Sequence, residues 1–205
     1  LQRAVELTAE STRRSERALA AAQASLQVGA FDAAAELLAI VAAGPLDEFQ
    51  QACVDLVRAQ LAFVSNRGSD APRLLLAAAK RLERVDIGLA RATYLDTINA
   101  AMFAGHLAGP GAGVAEVSRA ARSAPPPRGL PRASDLLLDG LAINFTEGYP
   151  AGLPVLQQAL DAFGHQMSAE EELRWLWLAC IAALHLWDDG KWDALSRRHV
   201  ELARQ

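Results

Sequence analysis

Gly29-Ala30-Phe31-Asp32-Ala33-Ala34 is echoed by Gly148-Tyr149-Pro150-Ala151-Gly152 and again by Gly190-Lys191-Trp192-Asp193-Ala194-Leu195. In each, a glycine closes one helix, an aromatic ring plugs the turn, and a small residue lets the next helix pack closely. Weaker echoes at Gly68-Ser69-Asp70-Ala71 and Gly105-His106-Leu107 set the spacing at about 38 to 43 residues. Self-similarity at such a period marks stacked helical hairpins, because a single hairpin cannot bury its own apolar face.

Working outward from these turns, apolar residues recur at helical spacing almost throughout. They predict ten helices, over 11–28, 31–41, 45–64, 72–82, 86–104, 114–122, 135–147, 149–163, 168–187 and 191–204. Gly29 and Gly44-Pro45 stop helices, Pro72 suits a first turn, and Asp32, Asp47 and Glu48 lie where the helix dipole favours acid. Ser168 and Glu171 have capping-box spacing, which fixes the ninth start. The stretch 124–135 holds Pro125-Pro126-Pro127, Gly129 and Pro131. It is either a loop between stacked hairpins or a boundary between two domains. The similar patterns on both sides favour a loop inside one repeat domain over 1–205. The fold class is therefore all-α, a right-handed helical-hairpin solenoid of about five degenerate repeats.

Composition agrees. The 205 residues include 43 Ala and 31 Leu, over a third of the chain in strong helix formers. With 52% hydrophobic and 21% charged residues the chain is neither disordered nor sheet-like. The net charge of -4 argues against a nucleic-acid surface, which needs clustered cations. The basic cluster Arg13, Arg14 and Arg17 is interrupted by Glu16. Cys53 and Cys180 each sit in an apolar helical run and read as buried free thiols of a cytoplasmic protein, against one lone disulfide. No apolar run is long enough to span a membrane, and no signal peptide is expected. The chain begins at Leu1 and stops within a helical pattern, so it reads as a piece of a longer protein. Its exposed apolar ends, with Leu1, Val5, Leu7, Leu195, Val200 and Leu202, predict a homo-oligomer.

The repeat resembles the tetratricopeptide repeat. In the fourth unit Leu136, Gly140, Ile143, Tyr149, Gly152, Leu156 and Ala159 take that family's signature spacings. In the fifth, Ala183, Leu186, Gly190, Trp192 and His199 do so. The period exceeds the family's 34 residues, so the repeats are degenerate. A narrower resemblance rests on Ser15-Glu16-Arg17-Ala18-Leu19, Ser69-Asp70-Ala71-Pro72-Arg73-Leu74-Leu75-Leu76, Ala92-Thr93-Tyr94-Leu95, Glu171-Glu172-Leu173-Arg174-Trp175-Leu176-Trp177 and Leu184-His185-Leu186-Trp187-Asp188-Asp189. These are similar to the helical middle region of large actinobacterial LuxR-type transcriptional regulators. The resemblance implies a regulatory module between an ATPase and a helix-turn-helix domain of the same chain. Such a module would mediate self-association or sense a small-molecule inducer. The other reading is a free-standing repeat adaptor that binds a peptide.

Little else carries chemistry. There is no Gly-x-x-x-x-Gly-Lys motif. The glycines of 105–113 have no preceding strand and no following Lys, so they read as a turn rather than a phosphate cradle. His185 and Asp189 have i, i+4 spacing but no evident third metal ligand. Asn144-Phe145-Thr146 is a glycosylation sequon without meaning in a cytoplasmic helix. The expectation is no catalysis, no cofactor, no metal and no direct nucleic-acid contact. The candidate binding surface is a groove on the first helices of three repeats: Leu95, Asn99, Met102 and Phe103; Leu137, Leu141, Asn144 and Phe145; Trp177 and Trp187. It is apolar with two amides, as ligand pockets often are. The competing reading is that neighbouring repeats cover these side chains as core. Trp192, at a hairpin turn, is expected in the core on either reading.

Overall fold

The computed structural model describes residues 11–65, 69–163 and 167–204. Gly68, His165 and the apolar residues Leu1, Val5 and Leu7 lie outside them. Among the described residues there are ten α-helices and no strand. They are α1 (Ser11–Gln27), α2 (Phe31–Ala42), α3 (Glu48–Val64), α4 (Ala71–Leu82), α5 (Ile87–Ala104), α6 (Val114–Arg122), α7 (Ala133–Glu147), α8 (Tyr149–Ala162), α9 (Ala169–His185) and α10 (Asp189–Ala203). The helices fall into two compact units, divided at Gly113 and Val114. The sequence placed 1–205 in one repeat domain. The division precedes the Pro-rich stretch, which lies inside the second unit between α6 and α7.

In the first unit α1 packs on α2 and α3, α3 on α4, and α4 on α5. One cluster joins Ala18, Ala21 and Ala22 of α1 to Leu37, Leu38 and Val41 of α2 and Val54 and Val57 of α3. The opposite face of α3, with Ala52, Leu56 and Ala59, meets Ala71, Leu75, Ala78 and Leu82 of α4 and Ala90 and Ala100 of α5. Alanine faces let the axes approach, and each buried Leu contributes about 1.5–3 kcal/mol. Caps set the helix starts. Asp47 and Gln50 form a reciprocal capping box (2.7 and 3.1 Å), so α3 begins at Glu48 rather than Pro45. Asp86 accepts from the Leu89 N–H and opens α5. Tyr94 is buried, and its hydroxyl donates to Glu83 at 2.6 Å. Burial first, and that carboxylate second, push the phenol well above its ordinary value.

In the second unit α6 packs on α7, α7 on α8, and α9 on α10. The α7–α8 crossing is tight because two glycines face it. A Cβ on Gly140 would stand 3.0 Å from the Leu156 nitrogen, and one on Gly152 would stand 2.8 Å from the Asn144 Cα. Ser168 caps α9 by accepting from the Glu171 N–H, but Glu171 does not complete the expected capping box. Its carboxylate instead accepts from the Ser134 hydroxyl and lies 3.8 Å from Arg132. Next to it Glu172, 2% exposed, accepts a forked pair of hydrogen bonds from Arg198 of α10.

The turns differ from the sequence reading in two ways. Phe31, Tyr149 and Trp192 are all more than one-third exposed, so the aromatics do not fill the turns, and Trp192 is not core. The buried position is three residues later, at Ala34, Gly152 and Leu195. Gly29 and Gly148 are left-handed (φ 77° and 92°), but Gly190 is inside α10. The left-handed residue closing α9 is Trp187 (φ 55°). Both thiols are free and buried, and the Ser196 hydroxyl points at the Cys180 sulfur, 3.6 Å away. Among the described residues no helix is long and apolar enough to cross a membrane.

Candidate functional site

The first unit holds a hollow of about 190 Å³ among α1, α3, α4 and α5. Its apolar wall is Leu26, Phe63, Val64 and Leu75, and its polar groups are Gln60, Asp96 and Asn99. Gln60, Phe63 and Val64 share one face of α3, one turn apart. On α5, Asp96, Asn99 and Phe103 fall at i, i+3 and i+7 and form the facing stripe. The Gln60 amide donates to the Asp96 carboxylate at 3.5 Å, the outer limit of a hydrogen bond. The rings of Phe63 and Phe103 meet edge to face with centroids 5.8 Å apart. The site thus offers an apolar slot with a carboxylate and two amides. It can seat a small apolar body and hold one polar end, and it has no group placed as a nucleophile.

The ten residues expected in the groove are divided between the units. In the first, Asn99 lines the hollow and Phe103 stands beside it, 61% exposed. Met102 is partly buried and Leu95 is fully buried core. In the second, Leu137 and Leu141 are also fully buried, so for these three leucines the core reading holds. Asn144 backs onto Gly152 at the α7–α8 crossing. Phe145 meets His185 edge to face at 5.8 Å. Trp177 is 46% exposed and Trp187 87% exposed. Trp175, one residue pair away, is buried under the Arg174 guanidinium, 4.5 Å above its ring.

Sequence reasoning missed Gln60 and Phe63, because the expected groove lacks the first helix of the second repeat, and it missed Asp96, although that residue lies on α5 between the expected Leu95 and Asn99. The signal was present. Gln60 precedes Asn99 by one repeat, and Val64 precedes Phe103 by the same interval. Among the described residues no three His, Cys, Asp or Glu side chains gather as a metal site. The His185 Nδ1 lies 2.9 Å from the Ile181 carbonyl of its own helix. The glycine-rich stretch after α5 opens with a short 3₁₀ turn, Gly105–Leu107.

Comparison with protein-family models, with curated proteins and with solved structures finds no match to the chain.

Proposed function

We propose that the chain is a cytoplasmic, tetratricopeptide-like regulatory module of a LuxR-type transcriptional regulator, built from helical hairpins: α1–α2 and α3–α4 in the first unit, α7–α8 and α9–α10 in the second. It acts by binding and carries out no chemistry. Its work is self-association, contact with the ATPase and helix-turn-helix domains of the same protein, and sensing of a small-molecule inducer. The packing of first helices on one another, α1 on α3 and α7 on α9, supports the hairpin array. The hollow between α3 and α5 carries the sensing part of the reading, because an apolar slot with three polar groups suits a small ligand. A thermal-shift screen of small apolar compounds with one hydrogen-bonding end tests it. A binder should raise the melting temperature with concentration, and Phe63→Ala or Asn99→Ala should abolish the rise. A complete gene product lacking either a P-loop upstream or a helix-turn-helix downstream overturns the regulator assignment.

The second reading, a free-standing adaptor for a peptide, draws on the Gln60 and Asn99 amides, one repeat apart, which can hold a peptide backbone. Under that reading a peptide, rather than a small molecule, protects the hollow.

A further inference from the structure

Trp187 closes α9 where a glycine is expected. The Asp188 N–H bonds to the Ala183 carbonyl and the Trp187 N–H to the Leu184 carbonyl, which makes a Schellman motif with Trp187 at its left-handed position. Gly29 holds the same place after α1, where the Ala30 N–H bonds to Ser25 and the Gly29 N–H to Leu26. A bulky residue pays a steric penalty there that glycine avoids. The indole gains nothing from the fold in return, since it is 87% exposed. A conformation this strained points to a contact outside the fold.

We propose that Trp187 is a docking knob: together with Asp189, two residues on at the start of α10, the indole of one copy seats in the α3–α4 hollow of a second copy, against Lys80 and Arg84. The inference rests on the self-association part of the proposed function. The hollow is about 490 Å³ and polar, with Leu46 on its wall and Lys80, Arg81 and Arg84 along the end of α4. Arg81 pairs with Asp55 at 2.9 Å, and Asp47 is engaged in capping α3. Glu48 shares the rim. Lys80 and Arg84 have no ion pair among the described residues, nor has Asp189. An indole can lie on the stems of Lys80 and Arg84 and meet their cations with its face. Asp189 then supplies the opposite charge, and the charges of knob and hollow are complementary. Because knob and hollow are different surfaces, the contact is heterologous. One aromatic anchor makes a small interface, so association belongs in the range of roughly tens of micromolar.

Sedimentation velocity over a concentration series, with melting curves, tests this. Wild type should associate, and salt should weaken it. Trp187→Gly should be monomeric and melt a few degrees higher, because the strain is gone. Trp187→Ala should also be monomeric but without the higher melting point, which separates ring from backbone. Lys80→Glu/Arg84→Glu should be monomeric alone, yet form dimers when mixed with Trp187→Gly, since one copy keeps the knob and the other the hollow. A monomeric wild type overturns both this contact and the self-association reading. Association that survives Trp187→Gly, or a mixture that stays monomeric, overturns this contact alone.

Discussion

At the residue scale the α7–α8 crossing depends on two hydrogen atoms. Gly152 faces the Asn144 backbone at a distance no real Cβ shows, and Gly140 faces the Leu156 backbone at 3.0 Å with that residue's side chain closer still. Backbone cannot swing aside as a long side chain can. Gly152→Ala should therefore force the helices apart and cost about 1–3 kcal/mol in urea denaturation. Gly109→Ala, with open space around it, should cost far less. Tyr94 sets a second expectation. Its phenol is pushed up by burial and by Glu83, and burial pushes the Cys53 and Cys180 thiols up as well. Each group holds its proton more tightly folded than unfolded. Its stabilisation is thus complete below the ordinary value and is lost as pH climbs past it. The urea midpoint should start to fall above the thiol value of 9.0 and continue past the phenol value of 10.0. Tyr94→Phe should flatten the upper part of that fall. Trp187 shows what the sequence conceals at this scale. Glycine preference points to Gly190 as the left-handed residue, and only the path of the backbone shows that a tryptophan holds that place.

At the scale of elements, α9 carries its two neighbouring tryptophans on different faces. Trp175 is 4% exposed and its loss leaves a cavity, so Trp175→Ala should cost about 3–5 kcal/mol. Trp177→Ala should cost clearly less; equal losses would place Trp177 in the core. The α9–α10 contact has a polar clamp in Glu172 and Arg198. Arg198→Met strands a buried carboxylate, whereas Arg197→Met removes an exposed pair with Asp193. The first should lower the urea midpoint more than the second. Helix positions were largely legible, because caps and apolar periodicity point the same way. The start of α3 differs from the sequence expectation because Pro45 suits a first turn, while Asp47 supplies the actual cap. The site was half legible. Asn99 and Phe103 follow from periodicity, but Leu95, Leu137 and Leu141 share that periodicity and are core, since a one-position turn of the helix separates the two faces.

For the whole molecule, charge and missing motifs set the expectation. With a net charge of -4 and no phosphate-binding motif, the chain should show no saturable ATP binding by calorimetry. It should also give no sequence-specific gel shift at physiological salt. Either signal would overturn the reading of this stretch as a binding module without those activities. Within the first unit α3 belongs to two apolar clusters at once, toward α1–α2 on one face and α4–α5 on the other. Neither cluster can open without exposing α3. Its central amides, around Val54 to Ala59, should therefore trade hydrogen for deuterium only when the unit opens as a whole, and at one common rate. The amides near Phe31 and at the end of α5 should exchange sooner, through fraying. An occupant of the hollow would slow the α3 amides most, and that delay would report binding before any ligand is identified.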